Sequence, residues 1–99
     1  MNITLTGKQV DIGERLHKHV EAALEGAVNK YFPAPISSAV IFTKDGEEFA
    51  VEITVHPAKN IILKGTGNAS DPYSAFDAAN AYIATRLRRH KTMEELTPL

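Results

Sequence analysis

The 99-residue sequence predicts a single α+β domain with the element order β-α-β-β-β-α. Two segments carry apolar residues at the three- and four-residue steps of an amphipathic helix. The segments before and between them alternate polar and apolar residues or are rich in β-branched ones, which is typical of strands. Because a strand–helix–strand unit joins parallel strands and hairpins join antiparallel ones, we expect a four-stranded mixed sheet with both helices on one face.

The first strand is predicted at residues 2–6, where every second residue is apolar, and the first helix at about 13–31. Asp11 is the expected N-cap of this helix, because Glu14 follows it at the spacing of a capping box. One apolar stripe runs along the helix. Its members are Leu16, Val20, Leu24, Ala27 and Tyr31.

Three further strands are predicted, at residues 39–44, 48–56 and 61–67. The first two are joined by a hairpin turn in which Gly46 supplies the positive φ that such turns need. The last strand contains Gly65 and Gly67. Because glycine weakens strands and often marks an irregularity, we expect a bulge there.

The second helix has a sharp predicted start, with Asp71 as N-cap and Pro72 as the first helical residue. Alanines along it give high helix propensity and allow close packing on the sheet. The predicted inner stripe consists of Tyr73, Phe76, Asn80, Ile83 and Leu87, with Ala79 beside it. We expect the domain to comprise residues 1–91 and residues 92–99 to form a flexible tail.

Positive charge is concentrated at the end of the second helix, in residues 86–91. The whole chain has 11 Lys+Arg against 12 Asp+Glu, yet this run alone holds three arginines and a lysine. A cationic patch on a neutral scaffold indicates an anionic partner, and nucleic acid is the commonest one. A helix C-terminus also attracts cations through its dipole, but one or two would suffice. We therefore interpret the run as a binding surface.

The sequence offers no catalytic or metal-binding constellation, so we expect no enzyme, no cofactor and no metal. His17 and His19 lie two apart on a helix and cannot share an ion. We expect His17 to be solvated and His19 to be partly packed. The serines lack a nucleophile-elbow signature, and an acid–base pair of glutamates would need burial.

We also expect neither a targeting signal nor a membrane-spanning segment in this sequence. The start of the chain has neither a basic leader nor a long apolar run, so it is not predicted to be a signal peptide. No segment approaches 18 consecutive apolar residues, so we expect no membrane contact. The chain has no cysteine, which is compatible with a reducing cytosol. We expect a cytoplasmic protein.

Four segments together resemble a known family. They are the opening Asn2–Gly7, the Lys30-Tyr31-Phe32 end of the first helix, the start of the second helix at Asp71–Ala79, and the basic run Arg86–Lys91. In these segments the chain resembles the bacterial ribosome hibernation factors, the group of the hibernation-promoting factor and the ribosome-associated inhibitor, some of which are also known as sigma-54 modulation proteins. The resemblance covers about residues 1–91 and is most specific in the second helix.

The resemblance implies a fold like that of a double-stranded-RNA-binding domain, and a factor that acts on ribosomes in hibernation during stress. Family members bind the rRNA of the small ribosomal subunit in the channel of mRNA and of tRNA in the A and P positions, and they block translation by occupancy. The partners implied are this rRNA and the whole ribosome, with no membrane and no small-molecule substrate. A weak homodimer is a further expectation for this chain. The implied RNA-binding residues are Arg86, Arg88, Arg89, His90 and Lys91 on the second helix, and Arg15, Lys18 and Lys30 from the first.

Longer relatives in this family add a linker and a second domain that dimerises ribosomes, and that domain is not in this sequence. The chain is either a short form or a part of a longer protein. A rival interpretation is a non-catalytic protein-interaction module that acts through an exposed sheet edge or through an acidic strand face. The acidic face would consist of Glu47, Glu48 and Glu52. A steep dependence of binding on salt would separate RNA binding from this alternative.

Overall fold

The computed structural model describes the backbone of residues 1–96 and the side chains of residues 1–91. Its elements are β1 (Asn2–Lys8), α1 (Glu14–Asn29), β2 (Ser37–Asp45), β3 (Glu48–Ala58), β4 (Ile61–Ala69) and α2 (Pro72–Leu96). This is the predicted order, with each strand extended by a few residues. The prediction of an α+β domain with six elements in this sequence is confirmed.

The strands form one sheet in the order β1-β2-β3-β4. β1 and β2 are parallel, with Asn2 opposite Ser37, whereas β2–β3 and β3–β4 are antiparallel. The turn between β2 and β3 contains Gly46 at φ +63°, as its glycine predicted. The mixed sheet therefore has the predicted pairing.

The core lies between one face of the sheet and the two helices. The largest fully buried side chains include Phe42 of β2 and Phe76 of α2, whose rings stack at 6.4 Å between centroids. In α1, Val28 is fully buried although the predicted stripe omitted it, and Ala27 is only half-buried. Tyr31 of the predicted stripe lies just after the helix and is also half-buried. The other buried apolar residues include Leu16, Val20, Leu24, Val40, Val51, Ile53, Val55, Ile83 and Leu87.

β4 and α2 approach each other closely, because β4 carries glycines where α2 crosses it. A Cβ atom built on Gly67 would lie 2.5 Å from the carbonyl oxygen of Ala75 and 2.7 Å from the amide nitrogen of Ala79. Both alanines are fully buried. The small residues on the two elements thus let their backbones meet, as the alanines of the helix predicted.

The bulge predicted at the two glycines of β4 is wrong. The pairing of β3 with β4 is regular from Phe49 to Val55, and the register shift lies between Val55 and Ala58. Pro57 falls within that interval. Because proline has no N–H to donate to the ladder, the irregularity belongs at this position.

The two helices begin differently. The backbone N–H of Ser74 donates to Asp71 Oδ1 at 2.9 Å, which confirms the predicted cap of α2. The N-cap of α1 is Gly13, which makes no side-chain hydrogen bond. The prediction of Asp11 as the cap is therefore wrong. The first helical hydrogen bond runs from the N–H of His17 to the carbonyl of Gly13, so Asp11 lies too far upstream to cap the first turn.

The backbone of α2 continues to Leu96, five residues beyond Lys91. The predicted domain boundary at Lys91 therefore falls inside the helix. The side chains from residue 92 onward, and the whole of residues 97–99, lie outside the described part of the chain, so the predicted flexible tail stays a prediction. Within the described residues, no helix has the length and apolar character needed to cross a membrane.

Candidate nucleic-acid interface

α1 and α2 lie side by side and run in the same direction, so both helices end on one side of the domain. Three contacts that advance together along both helices show this. They are His19 Nε2 to Asp77 Oδ1 at 2.8 Å, Asn80 Nδ2 donating to the Ala23 carbonyl at 3.5 Å, and the rings of Phe32 and His90 at 6.4 Å between centroids. The chain that follows α1 consequently lies beside the basic residues of α2, with Phe32 next to His90 and Lys91.

We call the residues Arg86, Arg88, Arg89, His90 and Lys91 the basic segment. Its three arginines are exposed, whereas His90 and Lys91 are half-buried. Successive residues are turned by about 100° around a helix, so the cations do not all lie on one side. Arg86 and Arg89 are one turn apart and line the same surface depression. Lys91 lies elsewhere, with Nζ 5.5 Å from the centroid of the Phe32 ring.

The helix dipole does not account for the basic segment. Arg86 lies ten residues before the end of α2 at Leu96, and Lys91 lies five before it. The favourable effect of the dipole on cations is confined to the last turn. Among the described side chains, the ion pairs are His17–Glu21, Lys18–Glu14 and His19–Asp77, none of which includes the basic segment. Its arginines are thus presented to solvent.

Tyr82 lies one turn before Arg86 and belongs to the same surface. The residue is 50% exposed, and Arg86 Cζ lies 5.8 Å from the centroid of its ring. The two residues share a depression of about 340 Å³, whose lining consists of Leu63, Tyr82, Thr85, Arg86, Arg89 and His90. The candidate residues chosen from the sequence did not include Tyr82. Its signal was an aromatic residue on the outer side of a helix, four positions before an arginine.

The cations predicted on α1 separate into two places. Lys30 follows the helix directly and lies at the end occupied by the basic segment, with Nζ 5.6 Å from the ring of Tyr31. Arg15 and Lys18 lie near the start of α1, roughly 20 Å from Lys30 at 1.5 Å per helical residue. Lys18 also forms an exposed pair with Glu14 at 3.1 Å. The structure therefore gathers Lys30 with the basic segment, but not Arg15 or Lys18.

The two histidines of α1 have the predicted environments. His17 is exposed and His19 is half-buried. The ring of His19 makes edge contacts with Tyr73 and Phe76 at 5.3 and 5.7 Å between centroids, in addition to its bond with Asp77. In the part of the chain that the structure describes, no three His, Asp or Glu side chains are grouped so as to hold a metal ion.

The sequence matches one family model, described as Sigma 54 modulation protein / S30EA ribosomal protein, over residues 3–94. Among curated proteins, the chain is similar to the ribosome hibernation promotion factor of Rhizobium meliloti (strain 1021), with 37% identity over 91 residues that cover 92% of this chain and 48% of that protein. It is also 34% identical to the protein of the same name from Bradyrhizobium diazoefficiens, over 93% of this chain and 45% of that protein. The chain thus spans about half the length of the curated relatives it matches.

Two solved structures have a similar fold. The N-terminal domain of Protein Y from Thermus thermophilus superimposes with a TM-score of 0.82 at 24% identity, covering 91% of this chain and 99% of that one. A ribosomal subunit interface protein from Coxiella burnetii also gives 0.82, at 21% identity, covering 93% and 99%. At these identities the likeness concerns the fold, and it agrees with the architecture predicted from the sequence.

Proposed function

We propose that this chain, which belongs to the Sigma 54 modulation protein / S30EA ribosomal protein family, binds the rRNA of the small ribosomal subunit through its basic segment. In this position it would occupy the channel used by mRNA and by tRNA in the A and P positions. Translation stops because the channel is filled, and no bond of any substrate is made or broken. The proposed role is that of a cytoplasmic ribosome hibernation factor.

The observation that carries this proposal is the exposure of three arginines, Arg86, Arg88 and Arg89, on a chain of net charge −1. A guanidinium group is planar and can bind two phosphate oxygens at once. Folded RNA with A-form helices is read largely through its shape and its backbone. A rigid helix that presents several guanidinium groups on different sides suits a cleft lined by phosphates.

The ribosome is favoured over other nucleic acids by the relatives. Two of them are named ribosome hibernation promotion factor, and one similar structure is a ribosomal subunit interface protein. Because the chain spans about half of the curated relatives, we limit the proposal to what one domain can do. That is binding and occupancy, without ribosome dimerisation.

Co-sedimentation with purified small subunits, combined with cell-free translation, tests the proposal. We expect the chain to sediment with the subunits at low salt, to be released steeply as salt rises, and to inhibit peptide synthesis at a stoichiometric ratio. A variant with Arg86→Ala and Arg89→Ala should lose most of both effects.

The matched control is the double variant with Lys8→Ala and Lys44→Ala, which also removes two positive charges. Lys8 ends β1 and Lys44 lies beside the β2–β3 turn, far from the basic segment. This control should bind and inhibit like the parent. Undiminished peptide synthesis at a large molar excess of the parent would contradict the proposal. If the chain binds a protein, and if this binding changes neither with salt nor in either double variant, the interaction-module alternative is favoured instead.

A further inference from the structure

We propose that Tyr82, Arg86 and Arg89 form a binding site for one unstacked nucleotide of an RNA strand. The base lies against the tyrosine ring, and its phosphate contacts the guanidinium groups. The inference rests on the proposed function in taking RNA as the partner. It adds that this face of α2 holds a single base outside a helical stack, and not only the phosphate backbone.

One edge of the Tyr82 ring lies against β4, while half of the residue stays exposed. A Cβ atom built on Gly65 of β4 would lie 3.0 Å from Tyr82 Cδ1, so the edge of the ring rests on the glycine backbone. An exposed aromatic ring is the kind of surface on which single-stranded nucleic acids stack their bases. Because the ring already contacts Gly65, part of its side-chain freedom is lost before a ligand binds.

The depression beside Tyr82 is open to solvent and combines basic, aromatic and apolar lining residues. Its volume of about 340 Å³ lies at the lower end of the range of about 300–1,000 Å³ found for ligand pockets. Leu63, which is 6% exposed, provides an apolar surface within it. Among the described residues that line it, none is acidic. An anionic ligand with a flat apolar part fits these surroundings.

The charges are placed for the phosphate of the same nucleotide. Arg86 Cζ lies 5.8 Å from the centroid of the Tyr82 ring, and Arg89 is the next residue of the same lining, one turn further along α2. Bases can stack on guanidinium planes as well as on aromatic rings. A base on Tyr82 therefore has one cation beside it and a second within a helical turn.

Fluorescence of 2-aminopurine tests the stacking directly, since this base is quenched when it stacks. The probe is a single-stranded hexaribonucleotide that carries one 2-aminopurine. We expect quenching by the parent and by Tyr82→Phe, which keeps the ring. For Tyr82→Leu, which keeps the apolar volume without the ring, we expect the quenching to disappear and the affinity to fall about 5–150-fold. The slope of log affinity against log salt should stay as in the parent, because no phosphate contact is lost.

A measurement on the unchanged chain keeps the test independent of variant stability. On addition of the hexanucleotide, the ring protons of Tyr82 should shift upfield in NMR spectra, while those of Tyr31 and Tyr73 should not. Unshifted Tyr82 protons at saturation would overturn the inference. Free 2-aminopurine riboside monophosphate, added alone, should bind much more weakly than the hexanucleotide. Equal affinity of the two would overturn the assignment to an RNA strand.

Failure of this inference is distinguishable from failure of the proposed function. The same protein preparations test both proposals when co-sedimentation with small subunits is measured in addition to the fluorescence. If the parent binds subunits and Tyr82→Leu binds them equally well with unchanged quenching, the nucleotide site is refuted and the proposed function stands. If the parent does not bind subunits at all, the proposed function fails whatever the hexanucleotide shows.

Discussion

Gly67 of β4 and Ala75 of α2 are so close that a side-chain Cβ on the glycine would lie 2.5 Å from the alanine carbonyl oxygen. The helix that bears the basic segment is therefore seated directly on the sheet backbone. Gly65, two residues earlier in β4, likewise lets the ring of Tyr82 approach the sheet backbone. The position of the proposed RNA surface thus depends on two glycines that do not themselves face a ligand.

Gly67→Ala should destabilise the domain, because the added methyl group meets backbone atoms that cannot move aside without lifting α2. Overpacking of this kind typically costs about 1–3 kcal/mol. Urea unfolding measures the change. Gly26→Ala is the matched control. Nothing lies within 4 Å of a Cβ at Gly26, and alanine is favoured over glycine in a helix by roughly 1 kcal/mol, so this variant should be more stable than the parent. Equal stability of Gly67→Ala and the parent would show that the contact is not tight.

Phe76→Ala should abolish function through loss of the fold. The side chain is fully buried and its ring stacks on Phe42. Truncation of a buried phenylalanine costs about 3–5 kcal/mol, out of a total of about 5–15 kcal/mol for a domain. The melting temperature should fall sharply, and ribosome binding should decrease in proportion to the unfolded fraction. A variant that melts like the parent but fails to bind would make Phe76 a contact residue, which contradicts its burial against Phe42.

Arg86→Ala combined with Arg89→Ala should show the opposite pattern, with binding lost and the melting temperature nearly unchanged. Both side chains are exposed, so their removal leaves no cavity. Each phosphate contact that is lost should reduce the slope of log affinity against log salt by about 0.7–0.9. The slope is measured by titrating small subunits at several salt concentrations. An unchanged slope in the double variant would place the phosphate contacts elsewhere.

The cap of α2 should make stability depend on pH in acid. The nearby Ser74 hydroxyl and, after it, the hydrogen bond from the Ser74 backbone N–H hold the pKa of Asp71 below its usual value of 3.8. A carboxyl whose pKa is lower in the folded state contributes stability above its unfolded pKa, and this contribution is lost as pH falls through the folded value. At pH 7 the parent should therefore have a higher melting temperature than Asp71→Ala. The difference between the two melting temperatures should decrease below pH 3.8.

Asp71→Asn separates the charge from the cap. Asparagine caps a helix about as well as aspartate, but it does not titrate. Thermal melts between pH 2 and pH 7 compare the three proteins. The difference between Asp71→Asn and Asp71→Ala should stay constant with pH. If it narrowed in acid as the parent's difference does, a group other than Asp71 would be responsible.

Local patterns were sufficient to predict the helices and strands of this fold, because each has a clear hydrophobic period or clear residues that start or end it. The alternation in β3, the hairpin at Gly46 and the cap at Asp71 all appear where they were expected. Features that depend on a neighbour distant in sequence could not be read in this way. A glycine in a strand marks a bulge in one context and a close approach in another, and only the position of α2 decides this for Gly67.

The residues of the candidate site also fall into two groups, those that the sequence predicts and those that only the fold brings together. The basic segment is visible in the sequence because its charges are contiguous. The inclusion of Lys30 and the separation of Arg15 follow from the parallel course of the two helices. Tyr82 was missed because an exposed aromatic residue four positions before an arginine is a weak signal until Gly65 and Arg86 are found beside its ring.

Competition with tRNA is the sharpest test of whether the chain occupies the tRNA channel of the small subunit. Small subunits programmed with mRNA and carrying labelled tRNA in the P position are mixed with increasing amounts of the chain, and retained tRNA is measured by filter binding. We expect tRNA to be released as the chain binds, excess tRNA to displace the chain in return, and the variant with Arg86→Ala and Arg89→Ala to release little. Simultaneous and independent binding of the chain and tRNA to the same subunits would contradict this expectation.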